Sequence, residues 1–113
     1  MNAKELNAHL LSDVLEETLQ HLYWLRNRYV VDKGNYLHCP ICVRCYNCPW
    51  VVVDNDRCVS YLVRNFPQYA TPATTDWLGA RKDPLWIEFA IKRIDRWIKL
   101  YKAALEVKRN AYK

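Results

Sequence analysis

A chain of 113 residues is enough for one domain, and a core that small is insecure without help from a staple such as a metal. Its 51 % hydrophobic content excludes a disordered chain, and its two glycines argue against a many-turned β fold and for long helices. The formal charge is +5, yet residues 1–80 carry seven Lys/Arg against eight Asp/Glu and residues 81–113 carry ten against four, so the basicity belongs to the C-terminal segment.

A basic block of this kind suits nucleic acid, an acidic protein surface, or solvent alone. No apolar run approaches the roughly 18–20 residues that span a bilayer. The N-terminal stretch, with Lys4, Glu5, Asp13, Glu16 and Glu17, lacks the shape of a signal peptide. A cytoplasmic protein with no membrane contact is therefore expected, its cysteines reduced rather than paired.

Asn2-x-x-Glu5 offers a capping-box-like start to a first helix, expected to run to about Val31. At helical spacing Leu11, Val14, Leu15, Thr18, Leu19, Leu22, Tyr23, Leu25, Tyr29 and Val30 share one face. Asp13, Glu16, Glu17, Gln20 and Asn27 share the other. Two residues break this pattern. Trp24 falls on the polar side, where it covers Trp77 or the crossover loop, or else stands as an exposed anchor for a partner. Arg26 falls within the apolar arc, either snorkelling or turned into a cleft toward an anion. His9 and His21 read as solvated histidines of this helix. Asp32-Lys33-Gly34-Asn35 is a stop and turn signal.

Residues 36–58 form a cysteine loop. Cys39, Cys42, Cys45 and Cys48 recur every third residue, and Cys58 follows ten residues after the last of them. Neither helix nor strand packing asks for that beat, whereas a metal does, because a C-x-x-C loop lets two thiolates converge on one ion. Cys39-Pro-Ile-Cys42 and Cys45-Tyr-Asn-Cys48 read as two zinc knuckles, but five cysteines and His38 over-supply a tetrahedral ion. A set of Cys39, Cys42, Cys48 and Cys58 is sterically easier and leaves Cys45 spare. The alternative is a [4Fe–4S] cluster held by Cys39, Cys42 and Cys45, with Cys48-Pro49 or Cys58 at the fourth corner. Val51-Val52-Val53 is β-branched and is expected to be a short extended piece beside the metal.

A short helix is expected over 59–66, ended by Pro67, then a crossover loop over 67–76 and at most one turn at Trp77-Leu78-Gly79. Asp83 is a good N-cap and Pro84 suits the first position of a last helix running to 113. Trp86, Phe89, Ala90, Ile94, Trp97, Leu100, Tyr101, Ala104, Leu105 and Val107 form its apolar arc, with Arg93 among them. Lys92, Arg96, Lys99 and Lys102 make a basic stripe opposite, with Glu88–Lys92 and Asp95–Lys99 as i,i+4 pairs.

The cysteine loop, C-P-x-C followed by C-x-x-C-P-W and a later lone cysteine, resembles a cluster found in small uncharacterised bacterial and phage Cys-rich metal-binding proteins. The likeness covers about 20 residues, from Cys39 to Cys58. What the resemblance implies is a small, intracellular, metal-stabilised protein of the kind that phages encode.

The expected fold is mainly α, a single domain over 1–113 with two long antiparallel helices joined by the cysteine loop and a short helix. The metal is read as a staple, since structural zinc contributes on the order of 10 kcal/mol to folding in small peptides. No Cys/His/acid set stands apart from the loop, so no catalytic residue is assigned and an enzyme is not expected. The leading expectation is a binding protein that contacts nucleic acid or a nucleoprotein complex through Arg44, Tyr46, Arg93, Arg96 and Lys99. One alternative is an inhibitor or adaptor, phage-encoded and acting on a host complex through Trp24. Another is an iron–sulfur redox or sensory protein. Monomer and homodimer both remain open.

Overall fold

The computed structural model describes residues 1–36, 47–70 and 74–111, with side chains through Val107. Among these residues there are six helices: α1 (Ala3–His9), α2 (Ser12–Val30), α3 (Pro49–Val52), α4 (Cys58–Asn65), α5 (Trp77–Lys82) and α6 (Pro84–Ala111). Among the described residues there is no strand, and one isolated bridge joins Ala70 to Thr75. The mainly α expectation holds.

The first helix is not continuous. Asn2 caps α1 as expected, its side-chain oxygen accepting from the Glu5 N–H at 2.8 Å. Leu10 and Leu11 are then both extended, with ψ near 146° and 154°. Ser12-Asp13 explains the restart, because both residues are weak in a helix interior and favourable in a first turn. The break leaves Leu10 buried and Leu11 73 % exposed, so Leu11 is not part of the core face. Along α2 the buried positions are Leu15, Thr18, Leu22, Leu25 and Tyr29, a spacing of three and four that matches one stripe of a helix. Tyr23 and Val30, at the margins of the expected arc, are exposed.

α6 is the spine. With 28 residues it extends about 42 Å at 1.5 Å per residue, and the molecule measures 51 × 28 × 21 Å. Asp83 caps it by accepting from the Leu85 N–H at 2.9 Å, and Pro84 occupies the first position, where a missing N–H costs nothing. Its buried row is Trp86, Ala90, Ile94, Trp97, Tyr101 and Ala104. Both α1 and α2 lie against it. Asn7 donates to the Ala104 carbonyl, Arg26 pairs with Asp95, and the Trp86 indole donates to the Tyr29 hydroxyl, so chain positions run in opposite order along the two segments. Each fully buried Leu or Ile in this layer contributes roughly 1.5–3 kcal/mol.

The turn after α2 forms where expected. Lys33 and Gly34 have positive φ, and the Gly34 N–H reaches the Arg28 carbonyl at 3.0 Å. Gly34 is required twice over: its φ is +80°, and a methyl group there would overlap the Arg81 carbonyl oxygen of α5. The expected extended piece at Val51-Val52-Val53 is instead helical. Pro49 starts α3, and the Val52 and Val53 N–H groups bond the Cys48 and Pro49 carbonyls at 2.9 Å, so local turn chemistry outweighs β-branching. α4 begins one residue before its expected start, and α5 is six residues long rather than one turn. Asp76 lengthens it by accepting from the Gly79 N–H.

Candidate metal centre

Cys39, Cys42, Cys45, Arg44, Tyr46 and His38 lie outside the described residues. The other two cysteines are described, and the fold brings them to one place. Cys48 is buried and caps α3; Cys58 is half-buried and opens α4. Both line the same cavity, of about 230 Å³. Tyr36 and Cys48, which flank the rest of the cysteine loop in sequence, are both on its wall. Among the described residues no group of three or more His, Cys, Asp or Glu side chains forms a ligand set. A four-coordinate centre built on Cys48 and Cys58 would therefore draw its remaining thiolates from Cys39, Cys42 and Cys45.

The cavity is walled by aromatic side chains that lock one another in place. On the wall Trp50 meets Trp97 edge-on at 5.5 Å, and Tyr61 and Phe89, stacked at 4.3 Å, back Trp50 without lining the cavity themselves. Such pairs add roughly 0.5–1.5 kcal/mol each beyond their buried area. At the other side a relay of polar heads is satisfied internally. The Trp86 indole donates to the Tyr29 hydroxyl at 3.0 Å, and that hydroxyl lies 2.8 Å from the Tyr36 hydroxyl.

Two arginines are built into this wall. Arg93 lies in the apolar arc of α6 as expected, but its guanidinium is spent inside the fold. It covers Trp50 and Phe89 at 4.5 Å and donates to Asp54 Oδ2 at 3.2 Å. Arg96 donates to the other oxygen of Asp54 at 2.6 Å, and the Trp97 indole reaches Oδ2 at 3.2 Å. Asp54 sits between α3 and α4, so one carboxylate ties the segment carrying Cys48 and Cys58 to the spine. Arg81, 9 % exposed, lies over the Tyr36 ring at 4.2 Å and donates to the Tyr36 carbonyl at 2.9 Å. It holds the chain at the start of the cysteine loop. Neither Asp54 nor Arg81 was singled out by sequence reasoning. The only available signal was their position, an acid directly after an apolar run and an arginine within a short amphipathic turn.

The remaining candidates are dispersed. Trp24 is 36 % exposed, with Tyr36 edge-on at 5.7 Å and Arg28 over its ring at 5.5 Å, so among the described residues it is Tyr36 and not Trp77 that lies against it. Arg26 points at Asp95 on the surface rather than into a cleft, a pair worth about 0–1 kcal/mol. Asp95 is thereby taken from its expected partner Lys99, while Glu88 and Lys92 pair at 3.3 Å as expected. Lys99 is exposed on the outer face of α6.

Electrostatics single out one further group. The Tyr101 hydroxyl is fully buried, has no hydrogen-bond partner among the described residues, and is held well above the usual phenol range, chiefly by burial. No helix among the described residues is long and apolar enough to cross a membrane. Comparison with protein-family models, with curated proteins and with solved structures returned no match to this chain.

Proposed function

We propose that this chain is a small metal-stabilised binding protein that contacts nucleic acid or a nucleoprotein complex through the outer face of α6. In this reading two long antiparallel helices carry a cysteine loop at one end, and a thiolate centre staples that loop to the spine. The observation that carries the contact is a single exposed row on α6: Lys92, Arg96, Lys99 and Lys102. Among the described residues Lys99 and Lys102 have no acidic partner, so their charge is available to phosphate. Arg44 and Tyr46, on the cysteine loop, are further proposed contacts, for phosphate and base.

Cys48 and Cys58 on one cavity support the metal. Zinc is the first choice, held by Cys39, Cys42, Cys48 and Cys58. A [4Fe–4S] cluster is the second reading, favoured by a void of about 230 Å³ in aromatic walls, which is more space than one ion with sulfurs at about 2.3 Å calls for.

A titration of duplex DNA and of single-stranded RNA against salt tests the contact. Each phosphate neutralised on B-DNA should add about 0.9 to the slope of log K against log salt. Replacing Lys99 and Lys102 together by Ala should lower that slope by about 2 units on the same arithmetic. A salt-independent affinity rejects nucleic acid. A pull-down that survives nuclease would then favour the adaptor reading, for which Tyr23, Trp24 and Val30 of α2 and its C-cap Val31 are exposed apolar side chains.

A further inference from the structure

The cavity offers more space than a single metal ion uses. Its volume of about 230 Å³ exceeds the roughly 150 Å³ of an engineered apolar void that takes up benzene from water. Natural interiors seldom keep so large a gap, because every side chain facing it forfeits contacts. Four of the five tryptophans, Trp50, Trp77, Trp86 and Trp97, stand on its wall. Val59, also on the wall, is 43 % exposed, so the cavity reaches the surface and a ligand can enter. A flat molecule of one or two aromatic rings suits such walls, through edge and face contacts.

The polar groups give the sign of the charge that fits. Beyond the two cysteine thiols, the wall carries the guanidinium side chains Arg81 and Arg93, the phenols Tyr29 and Tyr36, and the indole N–H groups. Among the described residues that line it there is no Asp, Glu, Asn or Gln. Asp54 is shared between Arg93 and Arg96, so that cluster keeps a net positive charge. Arg81 is held in place by the rings of Tyr36 at 4.2 Å and Trp77 at 5.6 Å and by the Tyr36 carbonyl. A guanidinium fixed in apolar surroundings attracts an anion far more strongly than one in water. We propose that this cavity binds a small aromatic carboxylate, its ring against the tryptophan wall and its carboxylate toward Arg81. The inference needs neither nucleic acid nor metal. A zinc site at Cys48 and Cys58 leaves room for the ligand, whereas a [4Fe–4S] cluster would take the same space.

The test is a calorimetric titration of the full chain with 2-naphthoate and with 2-naphthamide, its uncharged isostere, on a preparation whose zinc and iron are measured. The acid should bind at least about tenfold tighter than the amide, because only the acid makes a charge-assisted hydrogen bond. In proton–nitrogen spectra the indole signals of Trp50, Trp77, Trp86 and Trp97 should shift on binding, while that of Trp24, which is not on the wall, should move least. Arg81→Met should remove the preference for the acid. Ala90→Leu, which adds bulk on the wall, should weaken both ligands by about tenfold or more. Replacing Lys99 and Lys102 together by Ala should leave naphthoate binding unchanged, which separates this site from the α6 row. Should either wall variant fail to fold, the acid-to-amide ratio and the indole shifts of the parent decide alone. Equal affinity for acid and amide would overturn the proposal, as would shifts shared by all five indoles, or no response in either measurement at millimolar ligand. An iron-loaded chain that binds neither ligand would place a cluster in the cavity, overturning this inference while upholding the metal reading.

Discussion

Arg93 of α6 meets Asp54 across 39 positions of sequence, its Nη1 3.2 Å from Oδ2, and that contact fastens the cysteine-bearing turn to the spine of the fold. The same carboxylate receives Arg96 and Trp97. With 13 % exposure it is largely out of water, so removing it strands its partners at a higher cost than breaking a surface pair.

Asp54→Ala should therefore destabilise the protein by about 2–3 kcal/mol, since it strands a guanidinium between rings and an indole N–H. Arg96→Ala should cost under about 1 kcal/mol, because that side chain is 59 % exposed. Chemical denaturation of the two variants measures both. Equal losses would show that Asp54 acts through Arg96 alone.

Gly34→Ala should be costly for two separate reasons, positive φ and overlap with the Arg81 carbonyl. A loss of about 1–3 kcal/mol is expected from the overlap, with the backbone term in addition. Because Arg81 also grips the Tyr36 carbonyl, the variant should loosen the start of the cysteine loop as well, read as faster amide exchange at Tyr36. A neutral Gly34→Ala would place Arg81 and the turn apart.

The cap of α6 gives a pH dependence with a definite sign. The Tyr69 hydroxyl, 2.6 Å away, and the Leu85 N–H hold the Asp83 carboxyl below its ordinary value. A carboxyl lowered in the folded state stabilises above its unfolded pKa of about 3.9, and that contribution is lost as pH falls through the folded value. Asp83→Ala should cost about 1 kcal/mol at neutral pH, whereas Asp83→Asn keeps the cap and removes its share of the acid-side loss. Thermal melts of the three proteins from pH 6 to about pH 2 decide it.

Much of the scaffold was legible in the sequence, and the reasons are local. Asn2, Gly34 and Asp83 each name a helix end or turn by their own chemistry, and the apolar stripes of α2 and α6 follow from spacing alone. The break at Leu10-Leu11 was obscured because leucine is a strong helix former, and the signal lay in the Ser12-Asp13 that follows. Val51-Val52-Val53 misled because β-branching is a weaker instruction than a Pro at a helix start. The meeting of Cys48 and Cys58 at one cavity follows from a cysteine pattern that the sequence displays openly. The roles of Asp54 and Arg81 did not, because both depend on which distant element lies opposite, and nothing in a residue's neighbours encodes that.

The metal is the claim on which the rest depends, and Cys48→Ser and Cys58→Ser should each weaken or abolish it while leaving α6 helical. The most direct measurement is elemental analysis of freshly isolated protein, paired with melting in the presence and absence of a chelator. The account predicts one zinc ion or one iron–sulfur cluster per chain and a marked loss of stability on chelation. Metal-free protein that melts cooperatively at the same temperature with and without chelator would contradict it.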